Sequence, residues 1–72
     1  MTEEELTART ARIAKELVEA RNAKGLSLRA LQSATGIDDS NLSRIERGVL
    51  MPQIDTLIRI ASALGVKTLH LE

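Results

Sequence analysis

Gly36 is the residue that most narrows what this chain can become. It separates two short amphipathic stretches, one opened by Ser27 and the other by Asp38, with only Ile37 between the glycine and the second opening. Two helices joined this tightly need a residue between them that accepts a positive φ, and glycine does so without steric cost. Ser27 and Asp38 both have short oxygen-bearing side chains that cap helix N-termini. Gly48 closes the second stretch. Residues 27 to 48 therefore read as helix, tight turn, helix.

Size sets the frame for that unit. Seventy-two residues make one domain. A core this small supplies only a few kcal/mol, so such chains often add disulfides, metals or a partner subunit. Cysteine is absent and there is a single histidine, His70. Disulfides, thiolate metal sites and histidine-rich metal sites are thereby excluded, and no cofactor is expected. Oligomerisation is the remaining device. Aromatic residues are also absent, which removes the stacking platforms on which single-strand and RNA readers depend.

No apolar run approaches the ~20 residues of a membrane span. The start, Thr2-Glu3-Glu4-Glu5, is acidic where a secretion signal would be basic. A soluble cytoplasmic protein with no membrane partner is expected. Net charge is zero, which by itself argues against a polyanionic partner. Its distribution is uneven. Arg9, Arg12, Lys15, Arg21, Lys24 and Arg29 outnumber Glu16 and Glu19 between residues 7 and 35, so one face can still be basic.

Thr2 with Glu5 forms a capping box, and the three glutamates favour a helix N-terminus. Leu6, Ile13, Leu17 and Ala20 keep helical spacing, and Gly25 follows Lys24 as a stop. The first helix is expected over 3–24, long for this domain, with its opening turns projecting. The second follows Ser27, turns Leu31, Ala34 and Thr35 inward, and ends at Gly36. The third runs over 39–47 and buries Leu42 and Ile45. After a loop containing Pro52, the fourth runs over 54–64, with Leu57, Ile60, Ala61 and Leu64 at positions i, i+3, i+4 and i+7. The expected core is Leu31, Ile37, Leu42, Ile45, Leu57 and Leu64. Residues 66–72 partly alternate, and read either as a frayed tail or as a short strand pairing across a twofold axis. Leu71-Glu72 also reads as a remnant preceding a purification tag.

Between Leu17 and Leu64 an ordered set of pieces appears. It comprises Arg21-x-x-Lys24-Gly25-Leu26-Ser27, Leu31, Thr35-Gly36-Ile37, Leu42-Ser43-Arg44-Ile45-Glu46-Arg47-Gly48, Pro52, and Ala61-Ser62-Ala63-Leu64-Gly65-Val66. Together they resemble the Cro/C1-type, or XRE-like, helix-turn-helix family over about two thirds of the chain. The resemblance implies an all-α, lambda-repressor-like domain of four or five helices. Residues 1–16 are then an extended start of the first helix, 17–66 the family-like core, and 67–72 a tail or dimerisation strand. It also implies that the third helix enters the DNA major groove, usually in a homodimer on a palindromic site.

Carried onto this sequence, the family pattern makes Arg21 and Glu46 an ion pair tying the first helix to the end of the third. Base contacts fall to Asp39, Ser40, Asn41, Ser43 and Arg44. Asn suits adenine, Arg suits guanine, and a carboxylate can accept from a cytosine amine. Phosphate contacts fall to Lys24, Ser27, Leu28, Arg29 and Arg47, with the backbone of Gly48 and Val49. Some positions depart from the pattern. Leu28 stands where Gln is frequent, and cannot donate to phosphate. Asp39 stands where Gln, Arg or Lys is frequent, and serves equally as a charge favouring the helix N-terminus. Gln32 replaces a small residue facing the other helix, so its amide must find a partner or turn outward.

Nothing in the sequence assembles a catalytic group: no base stands near a nucleophile, no glycine loop cradles phosphate, and no enzyme is expected. Three functions remain. The first is a sequence-specific regulator of transcription on double-stranded DNA, a dimeric repressor. The second is an antitoxin of similar fold that binds a toxin protein and represses its own operon. The third is a protein-interaction module that has lost DNA binding.

Overall fold

The computed structural model describes residues 1–67, and all of its regular structure is helical. Helix α1 spans Glu3–Ala23. Its start is closed reciprocally: the Glu5 amide donates to Thr2 Oγ1 at 3.1 Å, and the Thr2 amide donates to Glu5 Oε1 at 3.3 Å. Thr10, Ile13, Ala14 and Leu17 form its buried stripe, each a helical turn or less from the next. Thr10 satisfies its hydroxyl on the Leu6 carbonyl at 2.8 Å, so a polar side chain sits in that stripe without an orphaned donor. Leu6 shares the spacing but is 50 % exposed.

Helix α2 spans Leu28–Thr35, and Ser27 Oγ caps it by accepting from the Ala30 amide at 3.0 Å. Gly36 takes a φ of +77°, the left-handed conformation that a side chain there would strain. Thr35 reinforces the turn on both sides. Its hydroxyl donates to the Leu31 carbonyl at 2.8 Å and accepts from the Ile37 amide at 3.2 Å. Helix α3 spans Asp39–Glu46, and helix α4 spans Ile54–Leu64. Lys24 and Arg47, expected as last helical residues, stand one step further out as caps.

The helices meet in one apolar cluster of Ile13, Leu17, Leu31, Leu42, Ile45, Leu57, Ile60 and Leu64. Helix α4 packs on α1 and α2, while α3 packs on α2 and α1. Ile37 is only partly buried, packed against the rim of this cluster, as is Leu28. Ala34, expected to face inward, is exposed. Leu31 is the only buried residue of α2, and Ala34 lies beside a shallow groove shared with Ile58 and Arg59 of α4. No strand and no fifth helix occur among the described residues, and the strand reading for the C-terminus lies outside them.

Candidate nucleic-acid interface

Helix α3 spends Leu42 and Ile45 on the core, which turns Ser40, Asn41 and Arg44 outward. All three are exposed, as is Arg47 just beyond the helix. Ser43 and Asp39 are half-buried at the margins of this face. The result is a short polar ridge whose base is held against α1 and α2.

Three contacts hold the ridge. At its start the Asp39 amide donates to Gln32 Oε1 at 2.7 Å. Gln32 belongs to α2, so this bond spans the turn and ties the two helices directly. The Asp38 carboxylate accepts from the next amide, that of Ser40, at 3.1 Å, and from the Ser40 hydroxyl. These bonds hold the Asp38 carboxyl below its ordinary range, the Ser40 hydroxyl contributing most and the positive charge of Arg44 adding to the shift. At its end, Arg21 of α1 grips Glu46 in a two-point pair. Nε donates to Oε2 at 2.7 Å and Nη2 to Oε1 at 3.0 Å, while Nη1 donates to the Leu26 carbonyl at 2.7 Å. The two side chains are only 16 % and 11 % exposed. The carboxylate bond drives the Arg21 pKa further upward, so the guanidinium holds its charge.

The remaining sequence-derived positions divide by environment. Ser27, Arg29 and Lys24 are exposed. Ser27 already accepts a bond as the α2 cap and keeps its hydroxyl proton to donate. The Lys24 side chain lies along Gly65, at the end of α4. Leu28 packs at the core rim, so much of its apolar surface is used inside the protein. The backbone amides of Gly48 and Val49 already donate, both at 3.1 Å, to the carbonyls of Ile45 and Arg44. These two amides close α3, and the Arg47 guanidinium is an exposed donor at the same end. Gly48 itself, at φ +76°, lies against Ala11 and Ala14 of α1. Gln32 is the site residue that sequence reasoning did not place. Its polar amide at an inward-facing position was the available signal, but its partner depends on how two helices cross.

A pair of short helices joined over a glycine turn, with the second presenting a polar face above a shared core, defines a helix-turn-helix protein. The sequence matches the profile of a helix-turn-helix family over residues 17–71. The chain belongs to this family, the Cro/C1-type, XRE-like helix-turn-helix proteins. It is 37 % identical to an uncharacterized HTH-type transcriptional regulator of Haemophilus influenzae, over 96 % of this chain and 71 % of that protein. It is 36 % identical to another uncharacterized HTH-type transcriptional regulator, from Sinorhizobium fredii, over 82 % of this chain but only 30 % of the relative. No solved structure gives a significant match. Among the described residues no helix is long and apolar enough to cross a membrane.

Proposed function

We propose that this protein is a sequence-specific double-stranded DNA-binding regulator of transcription, acting in the cytoplasm as a dimeric repressor. The observation that carries the reading is the exposed ridge of Ser40, Asn41 and Arg44 on a helix clamped at both ends. A recognition helix must keep its register while side chains reach base edges, and clamping removes the freedom that binding would otherwise have to freeze. Asn41 suits adenine and Arg44 suits guanine or a phosphate. Ser40 and Ser43 are adaptable partners. Asp39, whose amide is occupied by Gln32, offers its carboxylate to a cytosine amine. Ser27, Arg29, Arg47 and Lys24 serve the phosphates and set the register on the duplex. Two copies on a palindrome would place their α3 helices about one helical turn apart, ~34 Å.

Selection from a random duplex pool at two salt concentrations tests this. The expected result is enrichment of a palindrome, with affinity falling steeply as salt rises, since each neutralised phosphate releases counterions. Flat salt dependence without enrichment would overturn the reading and leave a module that binds protein.

A further inference from the structure

The side-chain amide of Gln32 has two polar ends, and the fold uses one of them. Oε1 accepts from the Asp39 amide at 2.7 Å. A backbone N–H is a donor, so the atom facing it has to be the carbonyl oxygen, and the orientation of the Gln32 amide is fixed. Nε2 is thereby turned away from that bond. It meets no acceptor among the described residues and stays open to solvent. A half-buried side chain, held at one end, thus keeps two donor hydrogens beside the first residue of α3.

We infer that Gln32 is itself a DNA-contacting residue, whose Nε2 donates to a backbone phosphate oxygen at the start of α3. The inference rests on the DNA-binding reading above and deepens it with a contact from α2. A free glutamine reads adenine by using its oxygen and nitrogen together. The Gln32 oxygen is already engaged by the protein, so that two-point reading is closed and a single donor remains. Single side-chain donors of this kind are ordinary partners of phosphate oxygens. The start of α3 carries two carboxylates, Asp38 and Asp39, so a phosphate approaching there needs a donor from outside the helix. Gln32 is the α2 side chain that reaches α3 across the turn. Leu28, one turn earlier on the same face of α2, packs against the core and has no donor to offer. The bond to Asp39 holds the amide in place before DNA arrives, so the contact freezes little further freedom.

The measurement is affinity for a duplex selected with the wild-type chain, over several salt concentrations, with urea denaturation alongside. Two variants separate the ends of the side chain. Gln32→Glu keeps an oxygen for the Asp39 amide and replaces the donor with a charged oxygen. Gln32→Met removes both. In stability, Gln32→Glu should stay with the wild type and Gln32→Met should fall below them. In affinity the order should differ. Gln32→Met should bind roughly tenfold more weakly than wild type, and Gln32→Glu more weakly still. The loss in Gln32→Met should be equal on all duplexes and leave the salt slope unchanged, because a neutral amide displaces no counterion. The extra loss in Gln32→Glu should shrink as salt rises. Replacing duplex phosphates one position at a time with neutral methylphosphonate decides the matter even if Gln32→Glu does not fold. At one position the wild type should lose affinity and Gln32→Met should not. Affinities that follow the order of stability would overturn the inference, as would a loss in Gln32→Met confined to one base pair. A wild type that binds no duplex would remove the DNA-binding reading and this contact with it. Variants that bind as the wild type does would remove the contact alone.

Discussion

Gln32 shows how one side chain can substitute for a missing local signal. A helix N-terminus leaves several amides without intrahelical partners, and the Asp38 carboxylate takes the amide of Ser40. The Asp39 amide would remain open, and Gln32 fills it from the neighbouring helix. Replacing Gln32 with Met keeps the length and the helix preference but removes the acceptor. The expected cost is about 1 kcal/mol of unfolding free energy, measured by urea denaturation with an unchanged m-value. A cost near zero would show that water caps that amide equally well. Asp38 carries a pH signature. Its folded pKa is depressed, so its contribution is present above the ordinary carboxylate pKa and is lost as pH falls through the lower folded value. The difference in melting temperature between wild type and Asp38→Asn should therefore shrink on titration from about pH 6 to about pH 2. A constant difference would refute the assignment.

At the scale of elements, the bond from α1 to α3 decides how rigidly the ridge is held. Arg21 and Glu46 are 25 positions apart in sequence, and their two-point pairing fixes the exit of α3 against the end of α1. A pair this sheltered contributes little net stability but is costly to halve, because the survivor keeps its charge with no partner. Arg21→Met and Glu46→Gln should each cost about 3 kcal/mol, and the double variant should cost less than the sum of the two. Additive losses in chemical denaturation would mean that the two groups act independently. The weak ion pair within α1, Arg9 to Glu5 at 3.9 Å, joins positions one helical turn apart and is partly exposed. A few tenths of a kcal/mol is the scale for such pairs.

For the whole molecule, zero net charge means that any DNA affinity must come from placement. Arg44, Arg47 and Arg29 are exposed in or beside the two-helix unit, while Glu3, Glu4 and Glu5 are gathered at the far start of α1. If the proposed function holds, Arg44→Ala should weaken binding to a selected site by ~1–3 kcal/mol and relax preference at one position. Arg47→Ala should weaken all duplexes alike and lower the salt slope by about one. Equal behaviour of the two variants across sequences would remove Arg44 from base reading.

Local chemistry was legible in the chain. The Thr2–Glu5 box, the caps Ser27 and Asp38, and the turn at Gly36 each depend on residues within a few positions, so the four helices and most core positions follow from spacing alone. The order of the family pieces likewise pairs Arg21 with Glu46, and the two side chains meet at two points. Tertiary structure decided what depends on neighbours remote in sequence. It gave Gln32 its acceptor role, drew Leu28 to the core rim and left Ala34 outside. It also tied up the Gly48 and Val49 amides and left Ile54 and Ile58 of α4 exposed. A side chain's period around its own helix tells which way it points, but what it meets there is set by how the helices cross.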